Sequence, residues 1–272
     1  MSRSQETPCQ ADAGGIPVLQ GKGGDWPYPR WIAHRGAGRL APENTLAALR
    51  EGARHGYRAF ECDVKLSSDD VPFLLHDATL QRTTHERGQA GKRTWAELSR
   101  IDAGSRHSRA YAGEPLPSLE AIAGFVRGNR FALNLEIKPT PGTEAHTGRV
   151  VAREVARLWT GDPLPPLLSS FQLEALEGAR EAAPSLPRAL LLDSLGSGWF
   201  ERAQALGCVA VITAYSLMDG SLLGRLHSAG LRGLVYTVND PAEVQRQFAL
   251  GIDGIITDAV DRFSPSTLAP RR

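Results

Sequence analysis

An α/β chain folded as a (β/α)8 TIM barrel, with a small insertion after the second strand, is predicted by three observations. From residue 119 onward short apolar runs alternate regularly with segments of helical periodicity, the pattern of a parallel sheet covered by helices. Several of the runs end in charged residues: His34 and Arg35, Glu61 and Asp63, and Glu136 with Lys138, as a barrel that gathers its chemistry at the C-terminal ends of its strands requires. The 272 residues also match the size of one large domain.

Residues 1–29 hold glycine, proline and polar residues without the apolar core of a secretory signal, and read as a disordered leader before a domain spanning 30–265 and a tail at 266–272. WIAH opens the barrel as a short strand, and GAGRLAPE is a loop. A helix follows, capped by Asn44 or Thr45, with Leu46, Ala47, Leu49 and Ala53 at helical spacing and Gly56 at the left-handed position after its end. Gly36 and Gly38 do not make a dinucleotide loop, because Arg39, Leu40 and Pro42 stand where a helix should begin; they let the backbone pass close to a site.

FECDVKLS is the second strand, and after the polar turn SSDD the run VPFLL is an extra strand beside it, delivering His76. Regularity lapses over residues 78–117, where only Thr94 to Ser99 reads as a short helix, and a long irregular stretch in a compact domain tends to serve function. The helix SLEAIAGFVRG and the strand FALNLEIKP come next. Helices from about Glu144 to Leu158, Gln172 to Ala183, Trp199 to Leu206, Asp219 to Ala229 and Pro241 to Leu250 then alternate with PLLSSF, RALLLD, CVAVITAY, GLVYTVN and GIDGIITD.

Strand alternation places Glu61, Asp63 and Lys65 on one face and Phe60, Cys62 and Val64 on the other. Asn134, Glu136 and Lys138 repeat this on the next strand, against Leu133, Leu135 and Ile137. Three convergent carboxylates, Glu61, Asp63 and Glu136, suit a hard divalent cation, Mg²⁺ or Ca²⁺. His34 and His76, each ending a strand beside these acids, make an acid and base pair. His55, His85, His107, His146 and His227 fall in helices or polar loops and take no role.

With 31 Lys plus Arg against 30 Asp plus Glu, no positive excess speaks for nucleic acid or an anionic membrane as partner. No apolar run approaches the roughly 20 residues needed to span a bilayer. The three cysteines, Cys9, Cys62 and Cys208, have no metal-ligand spacing, and Cys62 and Cys208 read as small core residues of a protein from the reducing cytoplasm.

HRG at His34 to Gly36, PENT at Pro42 to Thr45, ECDV at Glu61 to Val64, HD at His76 and Asp77, and LEIKP at Leu135 to Pro139 resemble, in order and spacing, the glycerophosphodiester phosphodiesterases. The resemblance runs from about Trp31 to Asp258. It implies that residues 78–117 overhang the active site, and that one divalent cation on Glu61, Asp63 and Glu136 binds a phosphate oxygen while Arg35 and Lys138 offset charge. Glu43, Asn44, Tyr236 and Asn239 then stand at the mouth toward substrate. The family usually carries Trp where Tyr236 stands, so the apolar wall on the glycerol side differs.

The implied reaction is hydrolysis of small glycerophosphodiesters, such as glycerophosphocholine or glycerophosphoethanolamine, to an alcohol and sn-glycerol 3-phosphate. Water or the substrate's own glycerol hydroxyl serves as nucleophile. A lipid phosphodiesterase on the same scaffold would share the two-histidine logic but cleave intact phospholipid. A metal-dependent amidohydrolase would show HxH on its first strand, where His34-Arg35-Gly36 stands instead. A phosphate-sensing barrel without catalysis would have lost some of the two histidines and three carboxylates, and all are present.

Overall fold

The computed structural model describes residues 26–265. Most of the expected leader, the expected tail and Cys9 lie outside the described residues.

The chain enters through β1 (Trp31–Ala33), α1 (Leu46–Arg54), β2 (Ala59–Leu66) and β3 (Pro72–Leu74). Beyond the insertion's α2 (Trp95–Leu98) come α3 (Leu119–Gly128), β4 (Ala132–Ile137), α4 (Glu144–Leu158), β5 (Leu167–Ser170) and α5 (Leu173–Ala182). The second half holds β6 (Arg188–Leu192), α6 (Trp199–Ala205), β7 (Ala210–Ala214), α7 (Gly220–Ser228), β8 (Arg232–Tyr236), α8 (Pro241–Leu250) and β9 (Gly254–Thr257). The sheet order is β1-β9-β8-β7-β6-β5-β4-β2-β3, and the parallel pair of β1 with β2, Ala33 opposite Phe60, closes it into an eight-stranded barrel. Among the described residues only β3 stands outside, antiparallel on β2, as the apolar run before His76 predicts.

Alternation along the strands separates two apolar layers. Phe60, Cys62, Val64, Leu133, Leu135 and Ile137 point outward into the core shared with the helices. Ile32, Ala59, Ala132, Leu167, Ala189 and Ala210 fill the barrel interior near the N-terminal ends of the strands. Tyr28, which the sequence placed in the leader, is buried in that inner cluster, and its hydroxyl donates to Pro165 O at 2.8 Å. The domain therefore begins before residue 30: an aromatic ring fills space that small alanines leave open inside the barrel.

The insertion has a core of its own, in which Phe73, Leu75, Leu80, Leu98, Ile101 and Leu116 pack together. Its turns are held by Asp102, whose carboxylate accepts from the N–H groups of Gly104, Ser105 and Gly113 at 2.8–2.9 Å. The short helix appears where expected, with a reciprocal cap between Thr94 and Glu97. Ala47 N donates to Glu114 Oε1 at 2.9 Å, tying the insertion to the start of α1. Among the described residues no helix is long and apolar enough to cross a membrane.

Candidate active site

Register brings the acids together. Glu61 lies opposite Asn134 and Asp63 opposite Glu136 across the parallel pair of β2 and β4, so all four side chains point into the C-terminal mouth. One oxygen from each of Glu61, Asp63 and Glu136 lies within 4.8 Å of the others. These are not residues of a solvated strand face: Glu61 is 4% exposed and Asp63 1%.

The loop after β1 wraps around the acids. Arg35 takes a left-handed φ of 50°, unusual for a residue with a side chain, and this turns its N–H onto Glu61 Oε2 at 3.1 Å. Asn44, with φ 59°, donates from its own N–H to Arg35 O. Its side chain is not the helix cap. That role belongs to Thr45, whose hydroxyl accepts from Ala48 N at 3.1 Å. The Asn44 amide instead clasps Asp63 twice: Nδ2 donates to Oδ2 at 2.8 Å, and Oδ1 accepts from Asp63 N at 2.9 Å. Gly38, at φ +58°, runs so close to the chain after β9 that an added Cβ would lie 2.1 Å from Asp258 O.

Cations and histidines surround the cluster. Arg35 Nε lies 3.3 Å from Asp63, and its Nη1 donates to Glu43 at 3.0 Å. Lys138 Nζ donates to Glu136 at 2.9 Å and stands 5.7 Å from the centre of the Phe171 ring. Lys65, buried beside it, donates to Lys138 O. The imidazole of His34 pairs its Nδ1 with Asp258 Oδ1 at 2.6 Å and sets its Nε2 3.8 Å from Glu61. His76 pairs its Nδ1 with Asp77 at 2.8 Å. Each histidine thus has one ring nitrogen engaged by a carboxylate, leaving Nε2 for a reacting group.

Tyr236 and Asn239 sit on the opposite rim. The Tyr236 hydroxyl donates to Leu192 O at 3.2 Å while its ring meets Phe171 edge-on, forming an apolar wall. The Asn239 amide, at the same mouth, braces Asp258, donating to Oδ2 at 3.0 Å and accepting from the Asp258 N–H at 2.9 Å. Glu43 is likewise engaged, by Arg35 and by Arg82, and Arg82 also grips Asp77 at 2.6 Å. Asp258, Asp77 and Arg82 were not singled out from sequence for these roles. The signal was present in DGIITD and DATLQRTT, but only folding shows that these acids reach the histidines.

Electrostatics fit a metal centre. Burial, with the charge of Asp63 close by, pushes Glu61 up to about 8 and Glu136 up to about 7. Asp63 is buried too, yet Arg35, His76, Lys138 and the Asn44 amide outweigh that and hold it below the usual carboxylate range. Burial works against charge on His34, but the hydrogen bond to Asp258 and the carboxylate of Glu61 prevail and raise its pKa; for His76 burial wins and lowers it. Glu61 Oε1 is buried without a hydrogen-bond partner. An orphaned buried carboxylate oxygen, beside two more carboxylates, is what a hard divalent cation satisfies.

The sequence profile of the glycerophosphoryl diester phosphodiesterase family matches residues 34–262. The chain belongs to that family. The glycerophosphodiester phosphodiesterase of Caldanaerobacter subterraneus subsp. tengcongensis is 29% identical over 232 residues, covering 84% of this chain and 93% of that protein. Among solved structures, an Oleispira antarctica phosphodiesterase in complex with the product sn-glycerol 3-phosphate superposes with a TM-score of 0.82 at 34% identity, covering 86% of this chain and 95% of that one. A glycerophosphodiester phosphodiesterase from Agrobacterium tumefaciens gives a TM-score of 0.72 at 28% identity, over 87% of this chain and 99% of that one. Family membership makes this barrel an enzyme, a glycerophosphodiester phosphodiesterase.

Proposed function

We propose that this family member hydrolyses glycerophosphodiesters derived from deacylated phospholipids, releasing an alcohol and sn-glycerol 3-phosphate, with one divalent cation, Mg²⁺ or Ca²⁺, held by Glu61, Asp63 and Glu136. The observation that carries the reading is the meeting, at one barrel mouth, of three buried carboxylates and two histidines each oriented by an aspartate. A bound divalent cation supplies Lewis-acid polarisation and charge neutralisation at a non-bridging phosphate oxygen.

The chain's own groups do the rest. Arg35 and Lys138 offset charge that builds on the phosphoryl oxygens, in a site dry enough for that charge to count. Nε2 of one histidine takes the proton of the nucleophile, whether water or the neighbouring glycerol hydroxyl, while Nε2 of the other protonates the leaving alcohol. Where the glycerol hydroxyl attacks, they exchange roles in a second half-reaction, in which water opens the cyclic phosphate. Asp258 and Asp77 keep both rings in the tautomer this needs. Tyr236 and Phe171 offer an apolar wall to the glycerol carbons.

The substrates are small and polar, which suits a chain of near-balanced charge. Two free buried cysteines, Cys62 and Cys208, support placing it in the reducing cytoplasm. Residues 78–117 act as an insertion of the catalytic domain that shapes which alcohol is accepted.

The test is release of glycerol 3-phosphate from glycerophosphocholine and glycerophosphoethanolamine, with EDTA and then with Mg²⁺ or Ca²⁺ restored. Release should require the cation, and His34→Ala, His76→Ala or Glu61→Ala should each cut kcat by about 10²–10⁴-fold. An enzyme that releases nothing from any deacylated diester would overturn the reading, and intact phospholipid would then be the substrate to try.

A further inference from the structure

Beside the carboxylate cluster, joined to it through Glu43, which bonds both Arg35 and Arg82, lies a second cavity of about 250 Å³ between the loop after β1 and the insertion. Its wall is strongly cationic: Arg39, Arg82 and Arg106 line it against a single carboxylate, Glu43. That carboxylate is already committed, to Arg35 at 3.0 Å and to Arg82 at 2.6 Å. Arg39 and Arg106 take part in none of the ion pairs among the described residues, although Arg106 Nε donates to Arg82 O at 2.8 Å. His107 completes the wall by bonding Arg39 O at 3.1 Å, which joins the two sides of the cavity. Ala41, Pro42 and Ala103 supply an uncharged floor.

Two exposed guanidinium groups without acidic partners line one cavity, that of Arg106 held there by its bond to Arg82 O. Paired guanidinium groups match the oxygens of a phosphate, which they can grip bidentately. Glu43 bonds Arg35 on the cluster side and Arg82 on the cavity side, so the cavity adjoins the place where the scissile phosphate would sit.

We propose that this cavity is a subsite for a phosphate group carried by the alcohol half of the diester, with Arg39 and Arg106 as the residues that select for it. The inference rests on the phosphodiesterase reading of the adjoining site and narrows its substrate class. Diesters whose alcohol bears a further phosphate are preferred over those with a neutral alcohol or the cationic choline and ethanolamine groups. Arg82 is shared: it closes one wall of the subsite while bracing Asp77, and so places the recognised charge next to the His76 side of the reaction.

The experiment compares two substrates that differ by one charged arm, glycerophosphoglycerol and 1,3-bis(glycerophospho)glycerol, in the Mg²⁺-loaded full-length enzyme. Wild type is set against Arg39→Ala, Arg106→Ala and the double variant, all exposed positions whose thermal unfolding is checked in parallel. The double variant should lose about tenfold in kcat/KM for the doubly phosphorylated compound and stay within about twofold for glycerophosphoglycerol, whose alcohol half is uncharged. Equal losses on both substrates, or no loss on either, would overturn the subsite. If wild type cleaves neither compound, the hydrolase reading fails by itself. The subsite is then judged by calorimetric titration of 1,3-bis(glycerophospho)glycerol: binding that disappears in the double variant upholds it, and binding that persists unchanged rejects it.

Discussion

At the scale of single residues, the distinction that matters is between groups that meet the phosphate and groups that aim them. His34 has the right chemistry at the end of β1, but a free imidazole exchanges tautomers. The 2.6 Å contact with Asp258 decides which nitrogen faces the mouth, and Asn239 in turn fixes Asp258. Replacing Asp258 with Asn keeps the shape and removes the charge. Because that contact helps raise the pKa of His34 against the effect of burial, the variant's histidine should lose its proton at lower pH. The limb of the pH–rate profile that reports His34 should therefore move toward acid, with kcat down about 10–100-fold. A profile unchanged in position would show that Asp258 does not tune the histidine.

At the scale of elements, the start of α1 separates folding from function in two adjacent residues. Thr45 caps the helix, and Thr45→Ala should cost about 1 kcal/mol in urea unfolding with metal affinity intact. Asn44 clasps Asp63 from both sides, so Asn44→Ala should weaken Mg²⁺ or Ca²⁺ binding by about 10–100-fold, read by calorimetry. From sequence either residue suited the cap, since Asn and Thr both do so well. What separated them is the left-handed turn at Asn44, which swings its amide toward β2 while leaving Thr45 extended at the helix start.

For the whole molecule, the cost of collecting buried carboxylates at one mouth appears as a link between metal, pH and stability. Glu61 and Glu136 titrate near 8 and 7 in the folded protein without metal, far above an unfolded glutamate. Raised carboxylate pKa values mean that the folded state holds protons the unfolded chain releases. Stability of the metal-free protein should thus fall as pH rises from about 5 through 8. A bound cation needs these groups ionised and reverses the penalty, so the rise in Tm on adding Mg²⁺ or Ca²⁺ should be larger at pH 8 than at pH 6. Differential scanning fluorimetry at both pH values checks it; an equal rise at both would contradict a site built on these two glutamates. The sequence alone determined the strand-and-helix order and the acid triad, because side-chain alternation in β2 and β4 is a local rule that holds whatever the strands later meet. It also revealed both histidines, through the motifs at their strand ends. Only the tertiary structure decided that Tyr28 belongs to the barrel, that Asp258 orients His34, that Asn44 serves Asp63, and that arginines of the β1 loop and the insertion share a cavity. Each of these joins residues far apart in the chain or turns on one local dihedral, and neither can be read from spacing, since closure of the barrel is what brings the ends of β1, β2, β4 and β9 to the same mouth.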